Sequence, residues 1–191
     1  VADRPVYLSA YDGHTAWANS KALAIGEVTR GTVFNGFGEI VRDAKGDPTG
    51  ALKEGAMSLV GRHVPRPTRA QRLAALEEGM KLAASLGITS FQNANGDDEE
   101  ISLYEELERA GKLTLRVSLA MSSGAKTNFA ELAQLRQKYQ TEHFAIRAVK
   151  FLIDGVIESH TAALLEPYSD GTDRTGPTSR PEADLARAVL A

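Results

Sequence analysis

The sequence predicts an α/β fold, and three observations carry that prediction. From residue 68 onward, segments with helical periodicity alternate with short apolar segments that are typical of strands. Each unit takes about 30 residues, as units do in which right-handed crossovers join parallel strands. The 191-residue chain is 42% hydrophobic and 25% charged, which is usual for a globular domain. The alternation suits either an open sheet or a section of an eight-stranded barrel.

The segment before residue 68 has a different pattern. Residues 6–9 are strand-like, and residues 16–24 have the composition of a short helix. Residues 39–42 and 50–54 predict a β-hairpin, because the turn between them is rich in Gly, Asp and Pro. We therefore predict two domains, an N-terminal cap segment with this hairpin and a segment of βα units, at residues 1–67 and 68–191.

Start and stop signals define the βα units. Thr68 is the predicted N-cap of a helix that ends at the C′ glycine Gly87. Acidic residues from Asp97 open the second helix and suit its macrodipole, and Asn128 caps the third helix. The apolar segments that follow these helices predict strands at residues 88–93, 113–120 and 146–153.

Neither end of the sequence shows the usual start or stop signal. The first residue is Val1 rather than methionine. A helix predicted to start after Pro181 meets no Gly or Pro stop signal before Ala191. We therefore expect the chain to be an internal piece of a longer protein.

Composition excludes several classes of partner. The formal net charge is −3, and no basic run is interleaved with aromatic residues, so we expect no nucleic-acid partner. No apolar run approaches the roughly 18 residues of a membrane span, and no signal peptide is evident, so we expect a cytoplasmic protein without a membrane partner. The lack of cysteine excludes disulfides and thiolate metal ligands.

Lys150 is the residue that first suggests chemistry. It lies in an apolar run predicted to be a buried strand, where an unpaired ammonium is costly. Because side chains alternate along a strand, Lys150 shares a face with Asp154, near the carboxyl end where α/β enzymes place their sites. Four roles stay open: a carbamylated bridge between two metals, a Schiff base with a carbonyl substrate, an ion pair with an acid, and an ammonium that reaches solvent at the strand end.

Further polar residues lie in predicted loops. His14 follows Asp12 directly before a helix, where substrate binding and capping are both open interpretations. Glu158 and His160 follow the Lys150 strand, in a loop that suits a substrate-lining or gating role better than a Ser–His catalytic dyad.

No set of metal ligands is evident in the sequence. It has no His-x-His pair, no His-Glu-x-x-His motif and no glycine-rich phosphate loop. We interpret His63 and His143 as surface residues. Three amides at the end of one predicted strand suit either a pocket or an ordinary turn, namely Gln92, Asn93 and Asn95.

Four stretches together resemble the metal-dependent amidohydrolase superfamily, in the branch called amidohydrolase family 3. They are DGHTAWANSKAL at 12–23, GDPTGALKE at 46–54, LGITSFQ at 86–92 and VKFLIDGVIESHTA at 149–162. The resemblance implies a partial (β/α)8 TIM-type barrel with an inserted or companion β-hairpin segment. It also implies hydrolysis of C–N bonds in small amide-type substrates, through a water activated by one or two divalent metals, commonly zinc.

Individual roles follow from the same resemblance. Lys150 matches the lysine that many members carbamylate to bridge two metals, which would make it both a catalytic residue and a metal ligand. Asp154 matches a catalytic position in the loop after that strand. Asp12, His14 and His160 match positions that face the substrate. The family's other ligands have no counterpart here, so we expect the isolated piece to be inactive and to bind no metal.

Two other functions stay open at this point. Lys150 could serve a Schiff-base lyase, or the chain could be a non-catalytic α/β binding module. An incomplete barrel also exposes strand edges, so we expect self-association of the isolated piece, including a homo-oligomer.

Overall fold

The computed structural model describes residues 3–123, 127–170 and 175–190. Contacts group the chain into two compact units. The antiparallel unit contains residues up to 66 together with 153–190, and the parallel unit contains residues 67–152. The predicted domains are residues 1–67 and 68–191. The grouping differs from them because residues 153–190 belong to the antiparallel unit. The division into these two domains stays a prediction.

The antiparallel unit is built on a four-stranded sheet in the order β1-β2-β4-β3. Strand β2 pairs with β1 on one side and β4 on the other, with Tyr7 opposite Ala18 and Thr15 opposite Lys53. The predicted hairpin is confirmed as β3 and β4, which pair antiparallel. The strands are β1 Tyr7–Ser9, β2 Thr15–Ala18, β3 Gly38–Arg42 and β4 Pro48–Glu54.

The predicted helix over residues 16–24 is wrong in its first part, where β2 lies. Helix α1 spans Ser20–Ile25, because Asn19 adopts an extended backbone and its side chain accepts a hydrogen bond from Ala22 N at 3.0 Å. Before this cap, Ala16 and Ala18 are buried while Trp17 is exposed, which is the alternation of a strand.

A short 3-10 helix at Gly55–Met57 and helix α2 at Ser58–Gly61 follow β4. Together with α1 they cover one face of the sheet. The unit also contains helix α6, Glu182–Leu190, which begins where the sequence predicts it. The buried core comprises Ala18, Ala22, Leu23, Val28, Ile40, Leu52, Ala56 and Val60.

The parallel unit confirms the predicted α/β alternation. Its three strands are all parallel, in the order β5-β6-β7. Thr68 and Asn128 are the N-caps of the first and third helices, as predicted, and Asp97, the first of the acids predicted to open the second helix, is the N-cap of that helix. Gly87 has the positive φ of 75° that suits a C′ glycine. The elements are α3 Arg69–Ser85, β5 Ser90–Gly96, α4 Asp98–Arg109, β6 Arg116–Ser122, α5 Phe129–Lys138 and β7 Phe144–Lys150.

The last of these strands ends earlier than predicted. Lys150 pairs with Ser122, and Ser122 is also the final residue of β6. Beyond Lys150 the chain has no neighbouring strand to complete a ladder among the described residues, so the predicted strand residues 151–153 are not in a strand.

One face of the parallel sheet forms the core of its unit. Val117, Leu119 and Phe144 on this face pack with Tyr104 and Leu107 of α4. The opposite face has small and polar residues and is not covered by the described helices of this unit. Within the described residues, the three strands do not close into a barrel.

Candidate functional site

His14 and Glu54 form a close pair in the antiparallel unit. The imidazole Nδ1 of His14 lies 3.0 Å and 2.9 Å from the two carboxylate oxygens of Glu54. The side chain of Glu54 is 10% exposed and that of His14 is 25% exposed. The sheet positions the pair, because His14 precedes β2, Glu54 ends β4, and Glu54 N donates to His14 O at 2.9 Å.

Thr161 and Ser159 complete this network from a distant part of the sequence. The Thr161 hydroxyl donates to Glu54 Oε1 at 2.6 Å. Ser159 Oγ lies 2.6 Å from Thr161 Oγ1, and both residues are buried. We call His14, Glu54, Ser159 and Thr161 the His14 network. Its carboxylate is therefore held by partners from two segments of the chain.

The loop that carries Thr161 fits closely against Glu54. Gly155 N donates to Thr161 O at 2.9 Å, and Val156 N donates to Thr161 Oγ1 at 3.0 Å. A Cβ at Gly155 would lie 2.0 Å from Thr161 Oγ1 and 2.3 Å from Glu54 Oε1. Only glycine leaves room for the network at this position.

Asp12 shapes the loop in which His14 lies. Its carboxylate oxygen Oδ1 accepts a hydrogen bond from His14 N at 2.9 Å, an arrangement typical of an Asx-turn. Its predicted contact with substrate stays a prediction, since this bond holds the backbone of the turn.

His160 lines a cleft of the antiparallel unit. Its Nε2 lies 2.5 Å from Asp170 Oδ2, and its ring meets Tyr168 edge-on at 4.6 Å between centroids. His160 also has a left-handed backbone, with φ of 55°. The cleft has a volume of about 550 Å³ and is lined by Phe37, Gly38, Glu39, His160, Thr161, Thr175, Gly176 and Pro177.

Asp154 also belongs to the antiparallel unit. Its carboxylate oxygen Oδ2 accepts a hydrogen bond from Ala163 N at 2.9 Å. The structure thus gives Asp154 a role in holding the loop, and its predicted catalytic role stays a prediction.

Lys150 is the last residue of β7, in the parallel unit. It pairs with Ser122, which lies on the strand face opposite to Leu119 and Met121 of the core. Lys150 therefore faces away from the helices of its unit. No side chain among the described residues forms an ion pair or hydrogen bond with its ammonium, so the predicted pairing with an acid is not observed there.

The amides near the end of β5 have mainly structural partners. Asn93 Nδ2 donates to Glu100 at 2.9 Å and to the Tyr104 hydroxyl at 3.2 Å. Burial raises the pKa of the Tyr104 hydroxyl, and the charge of Glu100 acts in the same direction. Asn95 Oδ1 accepts from Ser122 Oγ at 2.5 Å. Asn93 therefore anchors the strand to α4.

The described residues do not provide a metal site on their own. No group of three or more His, Asp or Glu side chains is placed to bind one ion in residues 3–123, 127–170 and 175–190. The carboxylate of Glu54 is already occupied by His14 and Thr161. A metal that binds near Lys150 would need further ligands.

Sequence reasoning missed Glu54 and Thr161. Both lie in the motifs that carry the family resemblance, but neither shows a local signal of function. Glu54 is 40 residues from His14 and 107 residues from Thr161 along the chain. The pairing of β2 with β4 brings Glu54 to His14, and the loop of residues 155–161 brings Thr161 to Glu54.

The chain belongs to the amidohydrolase family, whose model matches residues 1–191, so the predicted family is confirmed.

Curated relatives agree with this assignment. The chain is 30% identical to the Bacillus subtilis strain 168 protein YtcJ, which carries the name of an amidohydrolase, over 98% of this chain and 36% of that protein. It is 30% identical to LONG AFTER FAR-RED 3 of Arabidopsis thaliana, over 90% of this chain and 31% of that protein. It is 31% identical to the exoenzymes regulatory protein AepA of Pectobacterium carotovorum, over 87% and 38%. The chain thus spans about a third of the length of these relatives.

Solved structures show the same fold. The chain matches uncharacterized metal-dependent hydrolases from Pyrococcus horikoshii OT3, with a TM-score of 0.62 at 24% identity, and from Pyrococcus furiosus, with a TM-score of 0.60 at 23% identity. Each match covers 98% of this chain, and 37% and 38% of the two hydrolases. Separately, no helix among the described residues is long and apolar enough to cross a bilayer.

Proposed function

We propose that the whole protein is a metal-dependent hydrolase of C–N bonds in small amide-type molecules. The observation that carries this proposal is the family match over residues 1–191. We further propose that the parallel unit is a section of a (β/α)8 TIM-type barrel, in which other parts of the protein supply the remaining strands. The likeness to solved metal-dependent hydrolases at TM-scores of 0.62 and 0.60 supports this barrel.

Lys150 is the proposed metal ligand of this chain. Its place at the end of β7, on the face away from the helices, supports this role because enzymes of this architecture have their sites at the carboxyl ends of the strands. A carbamate on Nζ would replace the positive charge by two oxygen ligands. A divalent metal, for which zinc is the proposed ion, polarises a scissile carbonyl and lowers the pKa of bound water.

The remaining proposed roles follow the family motifs. His14, Asp12 and His160 contact the substrate, and Asp154 acts in catalysis. Since the described residues lack a ligand cluster, the rest of the metal ligands belong to the remainder of the protein. The isolated 191-residue chain is therefore inactive.

The carbamate can be tested directly in the whole protein. Supplying carbon-13 bicarbonate should produce a carbamate carbon signal that is absent from Lys150→Arg, which keeps the charge but cannot form the bridge. Lys150→Ala should lower both bound metal and amide hydrolysis by about 100-fold or more. Lys81→Ala is the matched control, because Lys81 lies exposed on α3 and pairs with Glu78 of the same helix.

Amide hydrolysis is measured on a panel of small amides, with metal content determined on the same samples. Unchanged activity and metal content in Lys150→Ala would remove the lysine from the site. Tight stoichiometric zinc with turnover in the isolated chain would overturn its proposed inactivity.

A Schiff-base lyase is the second candidate, because Lys150 has no ion-pair partner among the described residues. A half-buried amine without a counter-ion is suited to attack a carbonyl. Borohydride reduction in the presence of a carbonyl ligand would trap an adduct on Lys150 in this case. An adduct there would favour the lyase over the hydrolase, and no adduct would exclude it.

A further inference from the structure

We propose that Glu54 is a positioning residue that fixes the tautomer of His14, so that Nε2 is presented to the substrate as a hydrogen-bond acceptor. The inference rests on the proposed function in one respect, namely that His14 faces the substrate. It assigns a role to Glu54, which neither the sequence pattern nor the family match singles out.

The geometry determines which ring nitrogen carries the hydrogen. Nδ1 of His14 lies 2.9 Å from one oxygen of Glu54 and 3.0 Å from the other. An ionised carboxylate only accepts hydrogen bonds, so Nδ1 must be the donor. In the neutral imidazole one nitrogen carries hydrogen and the other accepts, and the bond made by the first sets the state of the second. Nε2 of His14 is therefore the acceptor.

The same reasoning orders the hydroxyls behind the carboxylate. Thr161 has one O–H, and its short contact of 2.6 Å with Glu54 Oε1 assigns that hydrogen to the carboxylate. Ser159 then donates its own O–H to Thr161 Oγ1, across 2.6 Å. Every donor in the His14 network points toward Glu54. A carboxylate held from both sides cannot rotate away from the imidazole without losing two bonds.

The backbone of Glu54 supports a role for its side chain. Its φ of 49° and ψ of −132° lie where L-residues are rarely found and glycine would be easier. A purely structural turn could use glycine here. The carboxylate is instead present and largely buried, and it is bonded to two side chains.

The far side of the imidazole is available for a ligand. No described residue forms a hydrogen bond to Nε2 of His14, and the side chain is 25% exposed. A ligand group that meets a neutral Nε2 must bring a hydrogen on nitrogen or oxygen. The class of substrate recognised here is thus an amide that keeps an N–H, or a molecule with a hydroxyl near the scissile bond.

The test combines a spectroscopic and a kinetic measurement on the whole protein. With nitrogen-15 histidine, ring shifts distinguish a protonated from an unprotonated nitrogen, and His14→Asn identifies the signals of His14. The wild-type neutral ring should show Nδ1–H and a bare Nε2. Glu54→Gln should populate both tautomers, because an amide can donate as well as accept. We expect kcat/KM to fall by about 10- to 100-fold, as for other groups that orient a functional histidine.

Glu27→Gln is the matched control. Glu27 is another glutamate with a left-handed backbone, at φ of 55°, but its side chain is exposed and bonds to none of the described residues. It should leave both the tautomer and kcat/KM unchanged. Thr161→Val, which removes one donor to Glu54 and keeps the shape, should shift both readouts in the same direction as Glu54→Gln but less. It also replaces Glu54→Gln if that variant does not fold.

The outcomes separate this inference from the proposed function. A persistent Nδ1–H tautomer in Glu54→Gln overturns the inference, even if activity falls, because the loss would then be structural. A mixture of tautomers in wild type overturns it as well. If wild type has the fixed tautomer and Glu54→Gln loses it, the inference stands, and the absence of amide hydrolysis would then count against the proposed function alone.

Discussion

The two units of this chain are organised by opposite means. In the parallel unit each helix is followed by its strand, and one apolar face accounts for the core. In the antiparallel unit the important contacts join residues 40 and 107 positions apart. Local regularity thus forms a scaffold, whereas the buried polar network depends on long-range pairing.

The units also differ in backbone strain. Among the described residues, the non-glycine residues with positive φ are Glu27, Glu54 and His160, and all three lie in the antiparallel unit. Such conformations cost about 1–3 kcal/mol each and persist where surrounding contacts fix them. Two of these three residues belong to the candidate site, so strain and proposed function coincide in one unit.

The largest expected effect tests whether both units depend equally on apolar packing. Leu52 of the antiparallel unit and Leu119 of the parallel unit are both 0% exposed. Leu52→Ala and Leu119→Ala should each lower the free energy of unfolding by about 2–5 kcal/mol, through lost burial and a residual cavity. Urea denaturation measures the loss, and Leu82→Ala, at a position 63% exposed, is the control. If Leu52→Ala lowered the free energy of unfolding by less than about 1 kcal/mol while Leu119→Ala lowered it as expected, the polar network rather than the apolar core would dominate the antiparallel unit.

Two glycines, one in each unit, differ in the space around them. Gly155→Ala would place a Cβ against Glu54 and Thr161, at 2.3 Å and 2.0 Å. We expect a loss of about 1–3 kcal/mol in unfolding free energy. Gly79→Ala, within α3 and with no atom within 4 Å of the new Cβ, should instead stabilise by about 0.5–1 kcal/mol. If both variants shifted the midpoint of thermal denaturation in the same direction, the close fit described at Gly155 would be contradicted.

A helix cap in the parallel unit should have a smaller effect. Thr68 accepts a hydrogen bond from Gln71 N, and Gln71 bonds back to Thr68 N at 2.8 Å. Thr68→Ala removes one half of this capping box and should lower the unfolding free energy by about 1 kcal/mol. Thr114→Ala, at an exposed position outside any helix, should change it little. Indistinguishable stability of the two variants would mean that α3 is held by packing alone.

The sequence predicts local features of the fold better than features that depend on distant parts of the chain. The caps Thr68 and Asn128 are both where the sequence predicts them, because a cap depends on one side chain and the backbone three residues later. Strand bounds are displaced by two or three residues, as in β5 and β7. A strand ends where its neighbour ends, and the neighbour is not visible in a local pattern.

The candidate site was predictable only in part. Lys150 at a strand end and His14 in a loop both follow from local composition, and their roles from motif resemblance. Glu54 could not be found this way, since its function depends on the register that places Lys53 opposite Thr15. Short-range periodicity carries no information about that register, which arises from the packing of the whole sheet.

The smallest effect concerns an ion pair of the antiparallel unit that, unlike the His14 network, lies at the surface. Arg30 donates to both carboxylate oxygens of Asp47, at 3.0 Å and 2.6 Å. The hydrogen bond from Arg30 lowers the pKa of Asp47 below its ordinary value. A lowered folded pKa means that the stabilisation is present above the unfolded pKa of about 3.9 and is lost as the pH falls through the folded pKa.

Arg30→Gln should therefore lower the free energy of unfolding slightly at neutral pH and weaken its decline below about pH 4, so that variant and parent converge in acid. The effect is small because exposed pairs contribute little and are screened by salt. Unfolding by urea between about pH 5 and pH 2 measures this, at low and at high salt. Arg66→Gln, at an exposed arginine without a described partner, is the control. If Arg30→Gln destabilised the chain at neutral pH as strongly as Thr161→Val, the hydrogen bonds of the exposed Asp47 carboxylate would contribute as much stability as those of the buried Glu54 carboxylate. The buried network would then owe its stability to packing rather than to its hydrogen bonds.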